Sequence, residues 1–268
     1  MELMLGLGSG IAHLAAVSEE VYTNTHSLVL DGVGDYFDTN TNMNDIIRCT
    51  STPGFTFGTW VRLGDTSSLQ VIFGSVNSPY QAGQFLIYFS TTALAFIIRA
   101  QMDSYSNKNC SLSLSSVAAA NEWHWIGVTA DVSGLAGDSS NVPMVLYHAD
   151  GVSGTITTTS GSTMPLQALN NYVTSNDMDI GKYLTTYHLN GQFDQTCVWN
   201  KALSASEIEA LVANPNNDYN QDFGNYAGSS NLVHYYKMDN NTTDSGSGGS
   251  DGTLNNDATF TTSNIPIS

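Results

Sequence analysis

Basic residues are scarce in this sequence of 268 residues. Lys and Arg together number 7 against 24 Asp and Glu, so the formal net charge is −17. Nucleic acid and anionic membrane surfaces are both bound through clusters of basic residues, and the sequence has no such cluster. We therefore expect neither as a partner. No apolar run is long enough to span a bilayer, so membrane insertion is not predicted.

Cysteine is also rare, with three residues at Cys49, Cys110 and Cys197. The number is odd and the spacing matches no zinc pattern, so a disulfide scaffold and a zinc site are both excluded. Cys197 is expected to be a buried free thiol, and a disulfide between Cys49 and Cys110 remains an open alternative. The signatures of serine hydrolases, phosphate loops and zinc peptidases are absent as well.

The apolar residues that are present alternate with polar ones in short runs, which are separated by Gly, Asn and Asp turns. This pattern is typical of β-strands. In residues 193–200 the alternation predicts that the odd-numbered side chains share one face. Ser204 and Glu207 then form a capping box, which predicts one short helix directly after the strand. Many such strands with a single helix predict an all-β sandwich.

These segments resemble laminin-G-like domains of the concanavalin A-like jelly-roll superfamily. Residues 191–208 resemble the pattern G-x-[IF]-D-x-x-x-[VI]-[WY]-N-[RK]-x-L-S-x-x-E-I near the C-terminal end of such domains. The resemblance implies a jelly roll of two packed antiparallel sheets, which we place at 24–268, behind an apolar arm at 1–23. Other segments resemble family strands in the same order along the chain: 27–37, 55–62, 71–75, 123–131, 144–151 and 179–181.

The end of the sequence resembles a family segment that precedes the first strand in many relatives. Here that segment, residues 232–254, closes the sequence instead. The two positions are compatible if its strand lies at a sheet edge beside the N-terminal strand, and we expect it there.

Catalysis is not expected. Glycanases with this fold carry Glu-x-Asp-x-Glu on one strand, which places two carboxylates on one face as nucleophile and general acid/base. No strand of this sequence carries paired Glu, and the nearest carboxylate pair is Asp177 and Asp179. A divergent polysaccharide-acting enzyme remains an alternative. His124 is expected to be a packing residue, and His148 and His188 are expected at surface or rim positions.

Glycan binding requires exposed aromatic rings beside polar groups. The four Trp residues lie in predicted strands and are expected in the core, so they are not candidates. The candidates are tyrosines in polar, loop-like segments: Tyr80, Tyr105, Tyr183 and Tyr187.

The resemblance also implies a calcium site, because related jelly rolls hold Ca²⁺ with Asp carboxylates and backbone carbonyls. The candidate ligands at matching positions are Asp31, Asp35 and Asp194. The alternative for Asp31 and Asp35 is that each carboxylate bonds the backbone of its own turn.

Residues 1–17 are apolar and rich in Gly, with one Glu and no Lys or Arg. A secretory signal needs a positive n-region, so none is expected. The segment packs either on its own domain or on a neighbouring subunit, and it resembles the start of some phage structural proteins.

We therefore predict a virion component, such as a capsid decoration or fibre- or tail-associated protein. It is made in the host cytoplasm and contacts other virion proteins, or copies of itself, through residues 1–23. The alternative is an extracellular lectin, secreted or on a cell surface.

Overall fold

The computed structural model describes residues 22–75, 82–101, 107–115, 119–161 and 164–262. It confirms the predicted sandwich of two antiparallel sheets. Most of the predicted arm lies outside the described residues. Among the residues that are described, no helix is both long and apolar enough to cross a membrane.

The two sheets differ in the number of strands that they contain. Over the described ranges the larger sheet has, in spatial order, β10 (Ile156–Ser160), β9 (Met144–Asp150), β8 (Trp123–Asp131), β3 (Gly54–Leu63), β14 (Asn190–Trp199), β1 (Ser27–Asp31) and β17 (Thr259–Thr261), with β15 (Leu232–Tyr236) also paired to β14. The smaller sheet has β16 (Thr253–Asn255), β2 (Tyr36–Asp38), β11 (Asp179–Ile180), β4 (Gln70–Ser75), β5 (Gln84–Phe89), β6 (Leu94–Gln101) and β7 (Asn107–Leu114). A two-stranded ribbon joins β12 (Lys182–Tyr183) to β13 (Tyr187–His188).

The prediction of one helix needs correction. The helix after the capping box is α3 (Ala205–Ala213), and both hydrogen bonds of the Ser204–Glu207 box are present. Two further helices, α1 (Asn44–Ile47) and α2 (Leu166–Asn170), are only one turn long. Elements this short leave no apolar periodicity in a sequence. A 3₁₀ turn at Ser229–Asn231 precedes β15.

Two apolar cores lie on opposite faces of the larger sheet. The main core fills the space between the sheets, where the rings of Phe57 and Phe85 lie 4.6 Å apart. The second core is covered by α3 and contains Trp60, Trp125 and Trp199. All four Trp side chains are buried, as predicted, but they belong to the second core and not to the space between the sheets.

The predicted alternation along residues 193–199 is wrong because β14 contains a bulge. Gln195 has a positive φ of 44°, and the register with β3 shifts between Asp194 and Cys197. Phe193 therefore faces the main core, whereas Cys197 and Trp199 face the second core. An inserted residue reverses the faces of all that follow it.

The closing segment lies close to where it was expected. β15 pairs with residues 196–199 of β14, and β1 pairs with residues 190–193 on the edge that β3 leaves free. β15 and β1 therefore lie end to end along β14, and the strand beside β1 is β17. Cys49, Cys110 and Cys197 are buried thiols, none of them in a disulfide, which excludes the Cys49–Cys110 disulfide in this structure.

Candidate functional site

A polar cleft of about 480 Å³ opens where β2, β11 and β4 meet the β12–β13 ribbon. Its lining includes Asp38, Asp177, Asp179, Lys182 and Tyr183. We call it the Tyr183 cleft. Four of these residues come from one short stretch of chain, and Asp38 is brought in by the pairing of strands.

Strand pairing and one glycine build this arrangement. β11 lies between β2 and β4, so Asp179 is directly opposite Asp38 on one side and Gly74 on the other. Gly181 then takes a φ of +84°, and a Cβ there would lie 2.2 Å from Leu30 Cδ1. Only glycine satisfies both conditions. The chain can therefore leave the sheet at Gly181 and carry the ribbon to the wall of the cleft.

The cleft has an excess of negative charge. Lys182 Nζ lies 3.3 Å from Asp179 Oδ2 and 3.5 Å from the centroid of the Tyr36 ring. Burial raises the pKa of Asp179 to about 6 against the opposing effect of Lys182, and Asp38 and Asp177 add to the rise. Burial and Asp38 also raise the pKa of Asp177. One cation thus faces three carboxyl groups, which favours ligands that are neutral or positively charged.

Two of the four predicted tyrosines come together here. The rings of Tyr183 and Tyr187 lie 6.1 Å apart across the ribbon, and Tyr187 is 41% exposed. Gln84 Nε2 donates a hydrogen bond of 3.1 Å to the Tyr183 hydroxyl, and Arg99 holds the Gln84 amide in turn. A ring fixed in this way offers an apolar face next to charged hydrogen-bonding groups. The other two, Tyr80 and Tyr105, lie outside the described residues.

The predicted calcium ligands do not converge. Asp31 Oδ1 accepts from the Val33 amide, and the two oxygens of Asp35 accept from the amides of Asp31 and Asp257. Both carboxylates therefore bond backbone at their turns, which is the alternative weighed from the sequence. In the parts of the chain that are described, no three His, Cys, Asp or Glu residues are placed to share a metal ion.

Asp194 lies on β14, four residues after Asn190, which pairs with Asp31 of β1. The Asp194 side chain is fully buried. Asn24 Nδ2 donates to Asp194 Oδ2 at 2.9 Å. The Oδ1 atoms of both residues are buried without hydrogen-bond partners. These oxygens are of the type that calcium prefers, but two are far fewer than the six to eight it takes. Calcium binding therefore stays a prediction.

A second cleft of about 340 Å³ contains a histidine pair. His148, expected at the surface or at a rim, lines this cleft, and with a side chain that is 5% exposed it is not a surface residue. Its Nε2 lies 3.0 Å from His124 Nδ1, and Phe89 packs against both rings. The neighbouring strands β8 and β9 point these two side chains to the same face. His124 is a packing residue, as expected.

Sequence reasoning missed Asp38 and Lys182 as parts of the Tyr183 cleft. Asp38 is far from Asp179 in the chain and reaches it only through strand pairing. Lys182 could have been found, because it directly follows the Ile-Gly pair that marks the end of a family strand. A residue placed just after a turn glycine leaves the sheet and is free to face a ligand.

Comparison with protein families gives a clear assignment. The model of the laminin-G-like group described as the concanavalin A-like lectin/glucanases superfamily matches residues 31–209. This chain belongs to that superfamily. The match covers the strands and the loops that form the Tyr183 cleft. No curated protein matches the chain.

Solved structures show the same superfamily fold at low identity. A candidate carbohydrate-binding protein from Bacteroides ovatus has a TM-score of 0.57 and 15% identity; the match covers 92% of this chain and 62% of that protein. The CBM40 of the Ruminococcus gnavus IT-sialidase, bound to α2,3-sialyllactose, has a TM-score of 0.52 and 11% identity; the match covers 71% of this chain and 98% of the CBM40. The chain with the −17 charge described above therefore spans less than two thirds of the length of the Bacteroides protein. At identities this low, the similarity to both solved structures shows the fold alone.

Proposed function

We propose that this chain is a non-enzymatic carbohydrate-binding domain that holds a glycan in the Tyr183 cleft. The observation that carries the proposal is the fixed Tyr183 ring beside Lys182 and three carboxyl groups in one concave site. Sugar rings place C–H groups on an aromatic face while their hydroxyls bond charged side chains. The description of the Bacteroides protein as carbohydrate-binding and the sialyllactose bound to the Ruminococcus CBM40 support the same class of ligand.

The test is a glycan array followed by calorimetry on each glycan that binds. We expect Tyr183→Ala to weaken binding by about tenfold or more, the size of a lost aromatic contact of 1.4 kcal/mol. Tyr88→Ala serves as the matched control, because this partly buried tyrosine does not line the cleft. Equal affinities of the two variants would refute the site, and an array without any hit would refute the function.

The alternative function is hydrolysis of a polysaccharide, and one observation favours it. A carboxyl group with a pKa of about 6, such as Asp179, suits a general acid near neutral pH. Its ion pair with Lys182 argues for a structural role. Incubating the protein with each bound glycan separates the two functions: an enzyme releases shorter sugars, and Asp177→Asn or Asp179→Asn abolishes their release.

We also propose that residues 1–23 attach this domain to a larger particle, with a virion as the concrete case. The support is the apolar composition of residues 1–17 in a chain whose net charge is −17. Burial of a few hundred Å² of apolar surface, at about 25 cal/mol per Å², would give firm attachment. Density-gradient fractionation of the native source tests this: fixed stoichiometry with a particle supports it, and a soluble or extracellular protein contradicts it.

Calcium binding at Asp194, or at Asp31 and Asp35, is carried forward as a proposal from the family resemblance. Isothermal titration of the chelator-treated protein with CaCl₂ tests it directly. Heat that saturates at a simple stoichiometry and disappears in Asp194→Asn would locate the ion at Asp194, and the absence of binding heat would reject calcium.

A further inference from the structure

A third polar cleft, of about 350 Å³, is lined in part by the segment that follows Asp38 in the chain. One wall is formed by residues 40–46 and the other by His234, Gly248 and Ser250. His234 belongs to β15 and is 6% exposed. We call this the His234 cleft. It shares no lining residue with the Tyr183 cleft.

A buried carboxylate holds the His234 ring in place. Asp244 Oδ2 accepts from His234 Nδ1 at 2.7 Å and from the Ser250 amide at 2.9 Å. Its Oδ1 accepts from the amides of Tyr235 and Gly246, each at 2.9 Å. Although burial raises the pKa of Asp244, these hydrogen bonds together lower it below the ordinary value. Asp244 is therefore an ionised acceptor, and the proton of the pair resides on His234 Nδ1.

This arrangement leaves the second ring nitrogen available. With Nδ1 protonated, the Nε2 of a neutral His234 carries a lone pair and accepts a hydrogen bond. It makes no hydrogen bond to any residue that the structure describes, although the ring is more than nine-tenths buried and lines the cleft. The Tyr236 ring lies parallel to it, at 3° and 6.3 Å, and fixes its plane.

The loop that contains Gly248 also packs closely against the His234 ring. A Cβ on Gly248 would lie 2.5 Å from His234 Cε1, so only glycine allows the loop to pass this close. Five groups thus hold one imidazole: a carboxylate, three backbone amides acting on that carboxylate, and a stacked ring.

The facing wall supplies the complementary group. Asn42 Oδ1 accepts from the Asn44 amide at 3.1 Å, which fixes the side chain, while Asn42 Nδ2 has no acceptor among the described residues. Among the polar groups that line the cleft, His234 Nε2 is an acceptor and Asn42 Nδ2 is a donor, and neither has a partner among the described residues. Asp45 is the only carboxylate in its described lining, which contains no Lys or Arg, and Asp45 is exposed. A neutral hydroxyl, which both donates and accepts, matches this pair.

We propose that the His234 cleft is a second binding site, which takes a neutral polyhydroxylated ligand such as a sugar ring. A ligand hydroxyl donates to His234 Nε2, and a ligand oxygen accepts from Asn42 Nδ2. A metal ion fits less well, because one imidazole with one exposed carboxylate supplies too few ligands. The site stands on its own geometry and does not depend on the Tyr183 cleft.

The test is NMR titration of the full chain, read at the imidazole nitrogens of His234. The probes are the methyl glycosides of glucose, galactose, mannose and N-acetylglucosamine. We expect at least one to shift the Nε2 signal in a saturable way, and to do so equally in Tyr183→Ala. Asn42→Ala should weaken this binding about fivefold, the effect of one neutral hydrogen bond. The matched control is Asn220→Ala, an exposed residue outside both clefts.

Three results would overturn the second site. One is that no probe moves the His234 signals. Another is that Asn42→Ala binds as tightly as Asn220→Ala. These results are distinct from a result that refutes the Tyr183 cleft, because the Tyr183 cleft is tested only by the calorimetry of Tyr183→Ala. His234→Phe keeps the stacked ring and removes the acceptor, so a folded His234→Phe protein that still binds the same glycoside at this cleft would also contradict the proposal.

Discussion

At the scale of single residues, Asp194 shows how burial sets the protonation state of a carboxyl group. Burial raises its pKa well above the ordinary value, and nearby Asp239 adds to the rise. Asn24 Nδ2 donates to one carboxyl oxygen, while Oδ1 of Asp194 and Oδ1 of Asn24 lack partners. A protonated Asp194 carries a hydrogen that it can donate, which an ionised Asp194 lacks. The neutral acid therefore suits this position better than the anion.

The first prediction follows from replacing that acid with its neutral isostere. Asp194→Asn should stabilise the fold at pH 8 by about 1–3 kcal/mol, the cost of a buried unsatisfied group, whereas Asp194→Ala should destabilise it. Unfolded Asp ionises near pH 3.9, but folded Asp194 holds its proton to higher pH. Wild-type stability should thus fall as pH rises above about 4, and Asp194→Asn should lack this fall. Urea unfolding at pH 4 and pH 8 measures both.

The control for that experiment is Asp31→Asn, because the Asp31 side chain is exposed. Its effect on the pH dependence should be small. If Asp194→Asn is less stable than the wild type at pH 8, the neutral form of Asp194 is not the one that the fold prefers.

At the scale of elements, alternation predicted the strands well but not which core each side chain enters. The hairpin of β5 and β6 and the strand–helix unit of β14 and α3 could be read directly from the sequence. The faces of Cys197 and Trp199 could not, because the bulge at Gln195 depends on a positive φ that no sequence pattern marked. The same holds for the Tyr183 cleft: Tyr183 and Tyr187 were predictable, whereas Asp38 arrives through long-range pairing.

The second prediction concerns the histidine pair that joins β8 to β9. Burial, together with His124, lowers the pKa of His148 to about 4 against the opposing effect of Asp150. Burial also lowers the pKa of His124, opposed by the Ala119 carbonyl, Asp150 and Glu122. Unfolded His binds a proton near pH 6.5, so stability should be lost as pH falls from about 6.5 towards 4.

One variant distinguishes the effect of this histidine pair on stability from the effect of other groups that gain protons as the pH falls. His148→Gln removes one titrating ring from the buried pair and should flatten the loss between pH 6.5 and 4. His188→Gln, at a half-buried position on β13, is the matched control and should keep the wild-type slope. Thermal unfolding across that pH range gives the comparison, and parallel curves for all three proteins would contradict the assignment.

At the scale of the whole molecule, the charge balance limits which glycans can bind. The chain carries a formal net charge of −17, and the Tyr183 cleft sets one Lys against three Asp. A glycan that carries a carboxylate or sulfate approaches this surface against repulsion, which acts over about 8 Å at physiological salt. The CBM40 with a similar fold was solved with a sialylated ligand. A shared fold does not carry over that ligand, because specificity resides in the site.

The third prediction is therefore one of selectivity. For any neutral glycan that binds the Tyr183 cleft, its sialylated or sulfated counterpart should bind more weakly, and the gap should narrow as NaCl is raised, because salt screens exposed charges. Asp38→Asn removes one repelling carboxylate without changing the shape of the cleft and should narrow the gap at low salt. Asp31→Asn changes the net charge equally but lies outside the cleft lining, so it shows how much of the effect is local. Calorimetry of each glycan pair at low and high salt measures the difference, and tighter binding of the anionic member at low salt would show that Lys182, and not the carboxylates, governs recognition.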